Sequence, residues 1–153
     1  MQENLNNIEN VDVMTFVLGN ELYGIEVTKV REILTYQGTT KLPNTKDWVK
    51  GVINIRGEVT PIIDLRIKFK TSSIDNVIYN DDTVVIAAKT QDGRMAGIVV
   101  DKLEGIESVN AKVSMQVPEI SNINREFVKN LFKQNGRMLI LMDVERLLSK
   151  DEF

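Results

Sequence analysis

The sequence predicts a mainly β protein in which one chain forms two small, similar barrels. Three observations lead to this prediction: apolar and polar residues alternate over short runs, Gly-containing turn signals separate those runs, and the two halves of the chain resemble each other. About five short strands are expected in each half. Small closed barrels fit this pattern better than one large sheet, because closure leaves no exposed strand edge.

The two halves of the chain share spaced identities. The Gly-Ile dipeptide at 24–25 recurs 73 residues later at 97–98, and Gly57 and Asp64 each recur 79 residues later. Each half therefore reads as a hairpin, a crossover and a second hairpin, with an Asp that ends the last strand. The identities are few and Gly is common in turns, so chance is an open alternative to a true repeat.

The first half begins with a predicted hairpin. Residues 1–10 form a polar tail that is expected to be disordered, and order is expected from Val11. Apolar runs at 13–18 and 22–27 flank a Gly-Asn turn, which predicts the hairpin. Residues 27–34 fit both helical and strand spacing, and we predict one helical turn followed by a strand.

A short link leads to the second hairpin of this half. Asn44 is predicted to cap a single helical turn that runs through Trp48. The runs at 51–55 and 59–65 then pair as strands across an Arg-Gly-Glu turn. Pro61 has no backbone N–H, so the second of these strands is expected at a sheet edge or at a bulge.

The second half repeats this organisation after a polar connector at 70–83. Residues 83–88 and 95–100 predict a hairpin about an Asp-Gly turn, which is a strong local signal. The segment 112–125 is predicted to be irregular. The end of the chain is predicted to contain two strands and a short helix that Asp143 caps, at 127–132, 137–143 and 143–148.

The composition excludes most catalytic and nucleic-acid-binding classes. The 153 residues include no Cys and no His, which removes disulfides, zinc thiolate sites, thiol nucleophiles and His-based catalytic devices. Asp and Glu outnumber Lys and Arg by 22 to 19, so no cationic excess is available to neutralise phosphates. The sequence therefore favours a globular protein that binds other proteins, with no enzymatic activity, cofactor or metal.

Several motifs occur in order along nearly the whole chain. They are YGIEVTKVREIL, LP, WVKGVINIRGEVTPIIDLRIKF, NDDTVVI, GIVVDKLEGI and GRMLILMDVERLL. Together they make the chain resemble the CheW family of chemotaxis coupling proteins. Because independent motifs agree in order and spacing, this resemblance is far more specific than any one of them.

The resemblance implies two SH3-like five-stranded β-barrels packed side by side, with short helical turns and a short C-terminal helix. A hydrophobic groove is expected between the barrels. Residues 11–153 would form a single CheW-like domain with barrel subdomains at about 19–80 and 81–148. Exchange of the first strand into the second barrel is an alternative.

The resemblance also implies a non-enzymatic adaptor of bacterial chemotaxis. Such proteins bind the cytoplasmic tips of methyl-accepting chemoreceptors in the groove. They also bind the regulatory domain of the histidine kinase CheA, which has a similar double-barrel fold. The expected location is the cytoplasm, with recruitment to membrane-associated receptor arrays and without insertion into the membrane.

The receptor-facing positions carry over from the family motifs. In the family, the Arg of the N-[LI]-R-G motif pairs with the Glu of the V-x-E-I motif, which here implies that Glu32 holds Arg56 by two hydrogen bonds and shapes one groove wall. Without the family resemblance, an exposed Arg is expected to contribute about 0 to 1 kcal/mol to the free energy of unfolding. Each apolar position is then also compatible with burial in an ordinary core. The apolar receptor-facing positions are Met14, Val27, Val30, Gly97 and Val99.

Kinase contacts are expected on the first barrel, around residues 46–51 and the nearby turn at 36–41. Trp48 fits a surface anchor and equally a lid over the core of a small barrel. Ile120 occupies a position where relatives can carry a Phe that makes a second kinase contact, and Ile has less area to bury. The candidates on the first barrel are Lys41, Lys46, Trp48 and Gly51.

Two other functions stay open from sequence. A CheV-type regulator uses the same docking module followed by a receiver domain, which would lie outside this sequence. A carboxylate-based hydrolase or ligand-binding barrel would need a deep pocket with carboxylates at working distance. The acidic cluster at 75–82 lacks the spacing of an EF-hand. No ligand motif joins the strand-ending carboxylates into a metal site; these are Asp64, Asp101 and Asp143.

Overall fold

The computed structural model describes residues 10–70, 76–116 and 125–153, and this part of the chain is mainly β. Its strands are β1 (Asn10–Leu18), β2 (Glu21–Glu26), β3 (Val30–Thr35), β4 (Val49–Ile55), β5 (Glu58–Asp64), β6 (Val84–Lys89), β7 (Met95–Val100), β8 (Lys102–Asn110), β9 (Val128–Gln134) and β10 (Arg137–Met142). Two one-turn helices, α1 (Leu65–Lys68) and α2 (Val144–Leu147), follow β5 and β10. Short 3-10 turns occur at Val27–Lys29, Ala111–Val113, Arg125–Phe127 and Lys150–Glu152.

The strands form two five-stranded SH3-like barrels that pack side by side, which confirms the predicted fold class. The first barrel has the strand order β3-β6-β7-β5-β4, and the second has the order β8-β1-β2-β10-β9. Each barrel contains one parallel pair, β5 with β7 in the first and β2 with β10 in the second. The other neighbouring strands are antiparallel.

The two halves of the chain exchange their first hairpins. The hairpin β1-β2 belongs to the second barrel, although it precedes β3 in sequence, and the hairpin β6-β7 belongs to the first barrel. The predicted division at about 19–80 and 81–148 is corrected on this point, because it places β2 and β6-β7 in the other barrel. The period-two pattern fixes which faces of a strand are buried and leaves open which strands pair.

The exchange is symmetrical and supports a true internal repeat. Gly97 pairs with Ile62 in the first barrel, and Gly24 pairs with Leu141 in the second, so the recurring positions meet in equivalent parallel pairs. Both glycines also permit a close approach. A Cβ on Gly24 would lie 2.3 Å from Val13 Cγ1, and one on Gly97 would lie 2.6 Å from Ile62 Cδ1.

Most predicted elements are confirmed, and the three errors are two wrong predictions and one strand that was not predicted. Residues 27–34 form one turn followed by a strand, as predicted. Asn44, however, has a left-handed backbone with φ of 58° and begins no helix. The strand β8 was not predicted, because its inward and outward residues give no clear apolar alternation. The third error concerns Pro61.

The strand that contains Pro61 lies between two neighbours rather than at an edge, and the bulge in its pairing with β4 falls between Val49 and Gly51 rather than at Val52, which faces Pro61. Opposite Pro61, the backbone N–H and C=O of Val52 bond to Thr40 rather than to β5. Pairing of β5 with β7 begins only at the next residue, Ile62. Pro61 is therefore tolerated in an inner strand because its missing N–H faces no required partner.

Within the described ranges, three apolar clusters stabilise the fold. One lies in the first barrel around Ile62 and Val99, and a second lies in the second barrel around Phe132 and Leu139. The largest lies between the barrels and joins Met14, Phe16 and Ile25 of the second barrel to Ile63, Ile86 and Ile98 of the first. Each fully buried side chain of this kind contributes about 1.5 to 3 kcal/mol, so the two barrels form one packed unit.

Candidate functional site

Arg56 lies in the tight turn between β4 and β5, beside Gly57. Both residues have positive φ angles, 52° and 82°, as a two-residue I′ hairpin turn requires. The equivalent turn in the second half holds Asn135 and Gly136, with φ angles of 52° and 80°. Asn tolerates this left-handed conformation, whereas Arg carries a steric cost there. Such strain is typical of positions that a function maintains.

The predicted pair between Arg56 and Glu32 forms, in a weaker arrangement than expected. Arg56 Nε donates one hydrogen bond of 2.5 Å to Glu32 Oε2, instead of the two that the family pattern implies. The Glu32 side chain is 21% exposed and the Arg56 side chain is 83% exposed. Solvent screening limits such a surface pair to about 0 to 1 kcal/mol. The pair therefore fixes the position of an exposed guanidinium more than it stabilises the fold.

Two of the predicted apolar positions lie at the surface near this pair. Val27 is in the 3-10 turn that precedes β3, and Val30 begins β3 two residues before Glu32. Both are partly exposed and pack against the cluster between the barrels. The strand carries a bulge between Val30 and Glu32, a device that re-aims side chains at functional edges.

The other predicted apolar positions are in the core, which corrects the expectation that they face a groove. Met14 is 7% exposed within the cluster between the barrels, and Val99 is fully buried in the first barrel. Gly97 is buried against Ile62 and Val85. Side chains fill the space between the barrels, where Met14 belongs to the cluster that Val30 packs against, whereas Gly97 and Val99 face the core of the first barrel.

A residue that the sequence did not single out holds the 3-10 turn in place. Glu145 of α2 accepts a hydrogen bond of 3.3 Å from Lys29 Nζ, and both of its carboxylate oxygens accept from the backbone N–H of Gln91 at 3.1 Å. These contacts tie the turn at 27–29 to the last helix. They join residues far apart in sequence, so no local signal predicts them.

The predicted kinase positions are spread over one side of the first barrel. Lys41 is exposed, and Gly51 lies against the backbone of Thr40. Trp48 is partly buried, and its Nε1 donates a hydrogen bond of 2.8 Å to the backbone oxygen of Glu152. Lys46 donates to the backbone oxygen of Asp151. Ile120 lies outside the described residues.

A buried polar network around Arg66 was also not predicted from the sequence. Arg66 is 1% exposed, and its guanidinium binds both carboxylate oxygens of Asp64, at 3.0 and 2.8 Å. It also donates to Asp101 at 3.2 Å and to the backbone oxygen of Ile78 at 2.6 Å. Tyr79 donates its hydroxyl to Asp64 at 3.0 Å. Burial raises the pKa of Tyr79 well above its usual value, and the Asp64 charge raises it further.

The three strand-ending carboxylates accept backbone hydrogen bonds, as their positions predict. Asp64 accepts from the N–H of Arg66, Asp143 from that of Arg146, and Asp101 from that of Gly19. Across 10–70, 76–116 and 125–153, no three acidic side chains converge on a possible metal position. Within those same ranges no helix has the length and apolar character to cross a membrane.

Two surface depressions give the hydrolase alternative no support. One of about 420 Å³ is lined by Glu58, Val59, Pro61, Arg94, Met95, Lys150 and Phe153, and so contains a single carboxylate side chain. The other, of about 380 Å³, is lined by residues 37–40 and 52–54 and contains none. A glycosidase-type mechanism, for example, needs two carboxylates that face each other across a substrate.

Comparisons with known proteins agree with one another. A family model described as the CheW-like domain matches residues 12–152. The chemotaxis protein CheW of Klebsiella aerogenes is 42% identical over 142 residues, which cover 92% of this chain and 83% of that protein. CheW of Helicobacter pylori is 32% identical over 145 residues, which cover 95% and 86%.

The fold has a solved counterpart. The crystal structure of the scaffolding protein TtCheW from Thermoanaerobacter tengcongensis superposes with a TM-score of 0.82 at 26% identity. The match covers 94% of this chain and 90% of that one. The family model, the curated relatives and the structural neighbour therefore place this chain in the CheW-like family of chemotaxis scaffold proteins, which are not enzymes.

Proposed function

We propose that this protein is a cytoplasmic adaptor that couples methyl-accepting chemoreceptors to the histidine kinase CheA. It is recruited to membrane-associated receptor arrays through these two partners and does not insert into the membrane itself. The observation that carries the proposal is the exposed guanidinium of Arg56, held by Glu32 on a strained turn at the edge of the first barrel. No role in the stability of the fold accounts for that arrangement.

The receptor site is the edge formed by Arg56, Glu32, Val27 and Val30. Val27 and Val30 offer apolar area to a helical receptor tip, and Arg56 offers a cation beside it. Met14 supports this edge from the cluster between the barrels, Gly97 and Val99 are buried in the first barrel, and none of the three is proposed to touch the receptor directly.

The kinase site is the side of the first barrel that carries Lys41, Lys46, Trp48 and Gly51, together with Ile120. A kinase regulatory domain of similar barrel fold would pack against this side. Trp48 and the lysine stems supply its apolar area, and the exposed ammonium of Lys41 supplies charge at the rim. Gly51 contributes by letting the segment at 38–41 lie close to β4 rather than by touching the kinase.

Reversing the charge at Arg56 is expected to weaken receptor binding and to leave kinase binding nearly unchanged. In titrations with a receptor cytoplasmic fragment and with the kinase regulatory domain, run separately, the wild-type protein is expected to bind both. Arg56→Glu is expected to weaken receptor binding about tenfold, or about 1.4 kcal/mol, and to change kinase binding less than about twofold. The double variant Arg56→Glu with Glu32→Arg rebuilds an ion pair of opposite polarity and is expected to recover part of the loss.

Arg137→Glu is the matched control for this charge reversal. Arg137 follows the equivalent turn of the second barrel, is 48% exposed and lies 3.9 Å from Glu104. It is expected to bind both partners as the wild type does. Equal receptor affinity for Arg56→Glu and wild type would show that Arg56 is not part of the receptor site. Failure of the wild type to bind either fragment would refute the adaptor function.

A further inference from the structure

The C-terminal turn at Lys150–Glu152 packs onto a group of basic and aromatic side chains of the first barrel. Trp48 Nε1 donates to the backbone oxygen of Glu152 at 2.8 Å, and Lys46 donates to the backbone oxygen of Asp151. Lys68 of α1 binds the carboxylate of Glu152. Two successive residues of the turn thus supply all three acceptors.

The receiving side chains form a preorganised site. The Lys68 ammonium lies 4.5 Å from the centre of the Trp48 ring and 4.6 Å from that of Phe127, and its side chain is only 5% exposed. Lys46 lies 5.6 Å from the centre of the same Trp48 ring. We call Lys46, Trp48, Lys68 and Phe127 the basic-aromatic site.

The chemistry of this site selects an acidic peptide. Lys46, Lys68 and the Trp48 indole are donors without acceptor capacity, so each needs an acceptor oxygen, and here the acceptors are two backbone carbonyls and one carboxylate. A cation that is enclosed by two rings and largely desolvated needs a carboxylate to compensate its charge. An acidic segment that adopts the same turn supplies both kinds of acceptor at the spacing that Asp151 and Glu152 show.

The turn that fills the site is held weakly by its own structure. It spans three residues, its N-cap residue Ser149 makes no side-chain capping bond, and none of its residues is buried. The preceding helix α2 differs, because Asp143 caps it and Val144 and Leu147 are buried. The Glu152 side chain is 17% exposed in its pair with Lys68, and Phe153 packs against the cluster between the barrels, so the turn is held by its contacts with the site rather than by bonds within itself.

We propose that the basic-aromatic site is a binding site for acidic peptide segments, and that the C-terminal turn is its displaceable intramolecular occupant. A partner with an acidic segment reaches Trp48 and Lys68 only when residues 150–153 leave. Lys46 and Trp48 also belong to the proposed kinase site, so the two proposals share a surface; the test below uses this chain and a peptide only, and its outcome does not depend on whether the kinase binds. The partner segment replaces the Glu152 carboxylate with one of its own.

The test uses Trp48, which is the one Trp of the chain, as a fluorescent reporter. A shortened chain that ends at Ser149 is expected to show emission shifted to longer wavelength, because the turn no longer covers the ring. The synthetic peptide SKDEF, acetylated and amidated, is expected to bind the shortened chain and reverse the shift. The peptide SKDQF is expected to bind at least about tenfold more weakly, because it lacks the carboxylate that Lys68 holds.

A second experiment uses the full chain, so that the test does not depend on correct folding of the shortened one. Glu152→Gln is expected to increase acrylamide quenching of Trp48 at least about twofold, since the ion pair that holds the turn is lost. Asp151→Asn is the matched control and is expected to leave quenching unchanged, because Asp151 contacts Lys46 through its backbone oxygen. Unchanged quenching in Glu152→Gln, or equal binding of SKDEF and SKDQF to the shortened chain, would overturn the proposal.

Discussion

Replacing Arg66 with Leu is expected to lower the free energy of unfolding by about 3 to 5 kcal/mol, which is the usual cost of breaking a buried ion pair from one side. Asp64 is fully buried and would be left with its charge and without its guanidinium partner. The backbone oxygen of Ile78 would lose a donor as well.

The loss would also weaken a polar link between the two barrels. Arg66 follows β5 of the first barrel, and its partner Asp101 accepts from the backbone N–H of Gly19 in the β1-β2 turn of the second barrel. The guanidinium further lies 4.8 Å from the centre of the Tyr79 ring. Removing one side chain therefore weakens contacts in both barrels, which makes its cost larger than that of a single hydrogen bond.

Urea denaturation followed by circular dichroism measures this effect, and Arg146→Leu is the control. Arg146 follows the equivalent strand of the other half, but its pair with Glu126 is more than half exposed on both sides. We expect the control to change stability by less than about 0.5 kcal/mol. A stability of Arg66→Leu within about 1 kcal/mol of the wild type would show that the buried network is not what holds this end of the barrels together.

Replacing Gly51 with Ala is expected to destabilise the protein by about 2 to 5 kcal/mol, from backbone strain and overpacking together. Gly51 has a φ angle of 132°, which side-chain-bearing residues rarely adopt. An added Cβ would also lie 2.1 Å from the backbone oxygen of Thr40. Because that oxygen accepts the hydrogen bond from Val52, the segment could move away only by losing its pairing with β4.

Gly105→Ala is the matched control within a strand. Nothing lies within 4 Å of a Cβ at Gly105, and its φ is not in the left-handed range. The midpoint of thermal unfolding should therefore stay near the wild-type value in Gly105→Ala and be clearly lower in Gly51→Ala. Equal midpoints would contradict the account of Gly51. The result also determines how the binding experiments are interpreted, because lost kinase binding in Gly51→Ala would then reflect a displaced backbone rather than a lost contact.

The sequence predicted the elements well where a local signal defines them. The turns at Arg56-Gly57 and Asn135-Gly136 separate alternating runs, and each forms the hairpin that its turn residues favour. Asp143 caps the last helix because a carboxylate at that position can accept from a free N–H of the first turn. These features depend on residues close together in the chain.

Burial of Gly97 and Val99 could not be predicted from the same pattern. Along β7, Ala96 and Ile98 join the cluster between the barrels, whereas Val99 joins the core of the first barrel. A strand buried on both faces reads as a continuous apolar run, and such a run does not reveal which residues meet solvent. Family resemblance placed these two residues near the receptor site but could not say on which side of the strand they lie.

The contacts of Arg66 and Trp48 were hidden for a different reason. An isolated Arg is expected at the surface, and only the folded chain brings Asp101 to it. Trp48 contacts Glu152 across 104 positions of sequence. The exchange of hairpins between the halves likewise depends on pairing between strands that are distant in sequence. Periodicity and turn chemistry carry no information on such pairings.

The most direct test of the adaptor function is whether one molecule holds both partners at once. Sedimentation velocity of this protein with a receptor cytoplasmic fragment and the kinase regulatory domain is expected to show a ternary complex, because the Arg56 edge and the side that carries Trp48 are separate surfaces of the first barrel. With Arg56→Glu, the binary complex with the kinase domain should persist while the ternary complex is lost. Mutually exclusive binding of the two partners to the wild-type protein would contradict the proposed coupling.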